Sequence, residues 1–148
     1  MNIFEQILAN QILMVAILSW FIAQLIKLVL TLINEKRLDF QKLMSSGGMP
    51  SSHSSFTVAL AVGVGQLYGY ETPLFAIAAV FSFVVMYDAA NVRLEAGKQA
   101  AVLNKIISNM QDSHLKFEDT LKELLGHTPI QVLAGAILGI VVAIVCIP

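Results

Sequence analysis

Of the 148 residues, 57% are hydrophobic and only 13% are charged, and the mean hydropathy is +0.75. Soluble domains carry about 25% charged residues, so this chain has too little polar surface to dissolve as a globule, and it reads as an integral membrane protein. Nine Lys and Arg against ten Asp and Glu give a net charge of -1, which offers nucleic acid no basic field. A single cysteine, Cys146, excludes an intrachain disulfide and a Cys-rich metal site.

A run of about 20 apolar residues crosses a hydrocarbon core, and four such runs are expected, at 11–33, 53–70, 74–92 and 130–147. Only Glu5 stands ahead of the first run, with no basic stretch before it and no small-residue cleavage site after it. It is therefore expected to be a retained span and not a signal peptide. Inside it lie Gln24 and Lys27, the lysine eight residues before Glu35. Taken alone, a lysine there is expected to snorkel to the interface on its long stem.

Between the first two runs comes Ser45-Ser46-Gly47-Gly48-Met49-Pro50-Ser51-Ser52-His53-Ser54-Ser55. Glycines allow tight turns and close approach to a ligand, and serines ahead of an apolar run cap a helix whose free N–H groups attract anions. One cap needs one serine, so serines clustered around a histidine point to function. The third run leaves the membrane through Tyr87-Asp88-Ala89-Ala90-Asn91-Val92-Arg93, ending on the side chain best shaped to fork onto phosphate.

Residues 94–126 are too polar to span. Apolar residues recur at Ala96, Ala100, Leu103, Ile107 and Met110, then at Phe117, Leu121, Leu124 and Leu125, which predicts two amphipathic helices broken near 112–114. They are expected on the membrane surface or over the mouth of the bundle. His114, between acidic and basic neighbours, reads as a solvated histidine. The fourth run opens on Gly126-His127-Thr128-Pro129. Thr128 as N-cap and Pro129 at the first helical position announce a helix start but leave His127 unexplained.

Charge orients these runs. Lys36, Arg37, Lys42, Arg93, Lys98, Lys105, Lys116 and Lys122 all fall on one side, while the turn at 69–73 holds only Glu71. That side is expected to be cytoplasmic, in the inner membrane, with both termini outside. The expected fold is all-α: a single domain over 1–148, an integral membrane bundle of about four transmembrane helices with an amphipathic cytoplasmic insertion over 94–126. Gly65 with Gly69, and Gly135 with Gly139, form GxxxG faces for close packing, through which a homo-oligomer could assemble.

By the parity of the spans, Lys27, His53, Arg93 and His127 approach one membrane surface. Two cations, two histidines and a serine-rich helix start suit a tetrahedral oxyanion: Lys27, Arg93, Ser51, Ser52 and helix N–H groups would bind phosphate oxygens. One histidine would be nucleophile and the other general acid, with no metal or cofactor required. An inactive scaffold that retains the anion pocket and a small transporter subunit are the non-enzymatic alternatives.

Pro50-Ser51-Ser52-His53, and His127 with Gln131-Val132-Leu133-Ala134-Gly135-Ala136-Ile137-Leu138-Gly139, resemble the type 2 phosphatidic acid phosphatase superfamily. The branch resembled is the small divergent one related to acid phosphatases and vanadium haloperoxidases. Its pattern runs K-x6-R-P, P-S-G-H, then S-R-x5-H-x3-D and a small-residue helix. The resemblance implies His53 as acid for the leaving group, His127 as the histidine that becomes phosphorylated, and a lipid phosphate or diphosphate as substrate. This chain departs from the pattern in four places, one of them the 94–126 segment inserted between Arg93, which would supply the third motif's arginine, and His127. Asn34 stands where the first motif has arginine, Ser52 replaces glycine, and Gln131 occupies the position of the aspartate that orients the nucleophile. Glutamine can hold the ring but cannot balance imidazolium charge, which leaves Asp88 and Glu123 as carboxylates to supply it. With the site facing the cytoplasm, phosphatidylglycerophosphate or phosphatidic acid would be the substrates met there.

Overall fold

Asn2 opens a short helix, α1 (Ile3–Leu8), by a capping box in which its side chain accepts from the Glu5 N–H while the Glu5 carboxylate accepts from the Asn2 N–H. No element is expected here from the sequence, although Asn-x-x-Glu is an available signal. Ile3, Phe4, Ile7 and Leu8 are exposed, as expected of a helix lying in the interface beside a span. The computed structural model describes residues 2–35, 48–110, 121 and 126–148.

Five further helices follow: α2 (Gln11–Glu35), α3 (Ser52–Tyr68), α4 (Pro73–Tyr87), α5 (Arg93–Met110) and α6 (Pro129–Cys146). A π-helical turn, Asp88–Val92, joins α4 to α5. Among the described residues, three helices are long and apolar enough to cross a membrane: Gln11–Ile33, Pro73–Ser108 and Pro129–Cys146. The four expected spans are thus three by length and apolarity. The exception is α3, whose 17 residues extend about 26 Å at 1.5 Å per residue.

The reason α3 differs lies in its surroundings. It packs against α2, α4 and α6, so protein covers most of its surface. Ser52, Ser54, Ser55, Thr57, Ala59, Ala61, Gly63 and Gly65 are all buried on it, and small side chains let backbones come close. On α6 the same logic operates at two glycines. A Cβ added at Gly135 would run into the Ser51 carbonyl oxygen, and one at Gly139 would lie 2.6 Å from the Ser55 carbonyl oxygen. The Gly135/Gly139 face is therefore filled by α3 of the same chain. Gly65 lies under the Tyr70 ring, and Gly69 (φ +99°) ends α3. Neither expected oligomer face is vacant.

Along the bundle, polarity is graded. At one end Ile12, Val15, Ala59, Val142, Ala143 and Ile147 form an apolar core. Midway, the Ser19 and Ser55 hydroxyls meet at 2.5 Å and the Ser82 hydroxyl donates to the Thr57 carbonyl, tying α2 and α4 to α3. Such interhelical hydrogen bonds average about 0.6 kcal/mol in membranes. Beyond them lie Lys27, Ser51 and His127, all buried.

The expected insertion takes a different form in its first half. The chain does not leave the helix at residue 94; it continues through the π turn into α5, so that the 36 residues Pro73–Ser108 make a rod of about 54 Å, longer than the roughly 30 Å hydrocarbon core. The expected second helix over 117–125 and the expected break at 112–114, with His114 and Glu123, lie outside the described residues apart from Leu121. The Leu121 backbone pairs in both directions with the Asn104 side chain.

Candidate phosphate site at the polar end of the bundle

Four backbone segments converge where the bundle is most polar, and each is locked by a local feature. The first is α2, which carries Lys27 inward. The lysine is 4% exposed, so it does not snorkel as expected. Gly48 (φ +94°) packs on its stem, and a Cβ there would sit 3.2 Å from the Lys27 Cγ and Cδ. That position needs glycine for its backbone conformation and for its lack of a side chain. Among the described residues, no carboxylate pairs with the Lys27 ammonium.

The second segment is the start of α3. Ser51 caps the helix, its Oγ accepting from the Ser54 N–H and the Ser54 hydroxyl, while its own N–H donates to the Gln131 carbonyl at 3.0 Å. Ser51 and Ser52 were expected to offer hydroxyls to an oxyanion. Both are buried, as Lys27 and His127 are, and in its cap bonds the Ser51 oxygen accepts; the segment also presents the helix N-terminus and His53. The His53 residue is exposed, and its carbonyl accepts from the Thr57 hydroxyl at 3.0 Å.

The third segment is the π turn. Its wider winding stacks residues five apart, and Arg93 Nε meets Asp88 Oδ2 at 2.6 Å. The Arg93 N–H donates to the Asp88 carbonyl, leaving the Ala89 carbonyl to accept from the His127 N–H at 2.9 Å. One extra residue per turn thus aligns an ion pair and releases a backbone acceptor. Nothing in the sequence signals the π turn, because a main-chain carbonyl has no side-chain signature.

The fourth segment leads into α6. Gly126 (φ +88°) passes so close to the π turn that a Cβ would fall 2.5 Å from the Leu94 nitrogen. His127 follows, 2% exposed. Gln131 closes a capping box with Thr128, its Oε1 accepting from the Thr128 N–H at 3.1 Å. The same oxygen lies 3.2 Å from His127 Nδ1. An oxygen already accepting must be approached by a donor, so Nδ1 carries the proton and the neutral ring keeps its lone pair on Nε2. Burial pushes the His127 imidazole below the ordinary histidine value; the Gln131 hydrogen bond and the Gly48 backbone oppose this, while the Lys27 and His53 charges add to it.

These groups act on one another. The Lys27 charge reaches both histidine rings, His53 and His127 interact, and Arg93 and Asp88 act on His53. Lys27, His53, Asp88, Arg93, His127 and Gln131 therefore share one cluster, drawn from helices far apart in the chain. Two cations and two imidazoles beside the N-termini of α3 and α6 make an electropositive setting suited to an anion.

A family model described as the divergent PAP2 family matches residues 8–142. The chain is 36% identical over 151 residues to the uncharacterized membrane protein YuiD of Bacillus subtilis (strain 168), covering 95% of this chain and 96% of the relative. No solved structure matches it. The family match covers both histidines, both cations and all three apolar spans nearly end to end, and this chain belongs to the divergent PAP2 family.

Proposed function

We propose that the protein hydrolyses a phosphate monoester or diphosphate carried on a membrane lipid, through a phosphohistidine. The observation that carries this reading is Lys27: a buried ammonium without a carboxylate partner among the described residues, within reach of two imidazoles. A buried charge is costly unless it is paired, and an oxyanion substrate supplies the missing partner.

In the first half-reaction His127 Nε2 attacks phosphorus and the bond to the leaving oxygen breaks. His53 donates its proton to that oxygen. Gln131 holds the Nδ1 proton of the nucleophile, while Lys27, Arg93 and the helix N-termini neutralise the charge spread over the phosphoryl oxygens. In the second half, His53 takes a proton from water, the water oxygen bonds to phosphorus, and the P–N bond breaks to release inorganic phosphate and free His127. No step requires a metal, because protein cations carry the charge.

The clustered Lys and Arg residues support a cytoplasmic site, where phosphatidylglycerophosphate and phosphatidic acid are the substrates at hand. Purified protein assayed on a panel of phospholipids and diphosphates, beside His53→Ala and His127→Ala, tests the proposal. Phosphate release that both variants abolish is expected, as is an acid-labile phosphoryl adduct in wild type and none in His127→Ala. Gln131 in the carboxylate position favours one rival, a scaffold that binds phosphate without turning it over. That rival predicts thermal stabilisation by phosphate and no release from any substrate.

A further inference from the structure

Helices α4 and α6 both lie against α3 but do not pack along each other. At the site end the segments next to them are joined by the hydrogen bond from the His127 N–H to the Ala89 carbonyl. Below it the two helices bound a cleft of about 330 Å3, walled by Phe83 and Met86 of α4 and by Leu133 and Ala136 of α6, with Ala90 and Pro129 at its head. The Phe83 and Leu133 side chains are exposed on the face that would meet lipid. Ala90 adjoins the clasp at Ala89, and Pro129 lies two residues from His127, so the head of the cleft abuts the phosphate cluster.

We propose that this cleft is the seat of one alkyl or acyl chain of the substrate, whose phosphate is held by Lys27 and Arg93. The assignment rests on the phosphatase reading for the identity of the head group. In a bilayer, apolar surface gains nothing by meeting one alkyl chain instead of another, since lipid tails are as apolar as leucine. A groove there selects by shape, and by what stands at its end. Here the end is a cationic cluster, so a chain that bears a phosphate is retained while a neutral chain exchanges. The volume lies at the low end of the roughly 300–1,000 Å3 typical of ligand sites, enough for part of one chain and not for both chains of a diacyl lipid. The second chain, where there is one, stays in the surrounding bilayer. Ala90 and Ala136 keep the cleft open, because larger side chains would close it.

Photolabelling locates the chain whether or not turnover occurs. Wild-type protein in phosphatidylcholine nanodiscs would receive dodecyl phosphate carrying a diazirine on its chain, and labelled residues would be mapped by mass spectrometry. The expected label falls on Phe83, Met86 and Leu133, is displaced by unlabelled dodecyl phosphate and not by dodecanol, and is lost in Ala136→Phe. Label on α2, or label spread over the lipid-facing residues and indifferent to dodecyl phosphate, overturns the assignment even if His127-dependent hydrolysis is found. Competed label in the cleft without any hydrolysis leaves the chain site standing and removes the phosphatase reading. Because mapping in wild type is decisive, misfolding of Ala136→Phe would not rescue or sink the proposal.

Discussion

Lys27 illustrates how burial changes the meaning of a residue. As a letter near the end of an apolar run it suggested snorkelling; 4% exposed against Gly48, it is an inward cation. Replacing a buried unpaired charge by an apolar side chain of similar length is commonly neutral or stabilising, whereas losing a transition-state cation costs about a hundredfold to a thousandfold in rate. Lys27→Met is therefore expected to keep or raise the melting temperature in detergent while abolishing most turnover. A marked fall in melting temperature would mean the ammonium is a structural partner and not a ligand for substrate. At His127 the sign of the pH effect follows from burial, which holds the imidazole below its ordinary value. Its free base persists to lower pH than in a solvated histidine, so the acid limb of kcat/KM should lie below about 6.5, the unperturbed histidine value. Gln131→Glu places a carboxylate beside Nδ1, favours the imidazolium, and should move that limb to higher pH on the same substrate. An unmoved limb would show that Gln131 does not govern the ring.

Among the elements, the π turn explains most of what the sequence concealed. Thr128-Pro129 and Ser51 announced their helix starts, and both act as caps. Gly135 and Gly139 announced a packing face, though for α3 of the same chain. Helix starts and glycine faces were legible because side chains make them. The π turn is made by the main chain, and so was not, nor was the enclosure of α3, which depends on what three distant segments do. A test belongs at this scale: deleting Ala90 converts the π turn to α-helical winding, and because five π-helical residues turn the chain about as far as four α-helical ones, α5 keeps its orientation. Asp88 and Arg93 would stand four residues apart and keep their pairing, while the Ala89 carbonyl would be taken back by its own helix and lose the His127 N–H. Helical content by circular dichroism should be unchanged while phosphate release is lost. Retained activity would show that the clasp does not position the site. Gly126→Ala probes the same junction from the other side. Its positive φ and the nearby Leu94 backbone predict a loss of about 1–3 kcal/mol, read as a lower melting temperature.

For the whole molecule, the polarity gradient and the charge distribution select the same end. The apolar core lies around Ile12 and Ile147, away from the site, and α5 carries Lys98 and Lys105 out beyond the site end. The positive-inside rule assigns the end that carries such charge to the cytoplasm, which is the orientation proposed for the site and for α5 beyond it. The accessible leaflet in turn decides which lipid phosphates can reach Lys27. Cysteine scanning reads this directly, because Cys146 is the chain's one cysteine and can be replaced first by serine. A cysteine at the exposed Lys98 should resist a membrane-impermeant maleimide in intact cells and react once the cells are opened. A cysteine at the exposed Tyr70, in the turn at the opposite end, should react in intact cells. The reverse pattern would turn the site outward, and the substrate class would shift from lipids made on the inner leaflet to phosphates recycled at the outer face. The chemistry assigned to Lys27, His53 and His127 would be unchanged by that result, since the cluster is built by the bundle and not by the leaflet it faces.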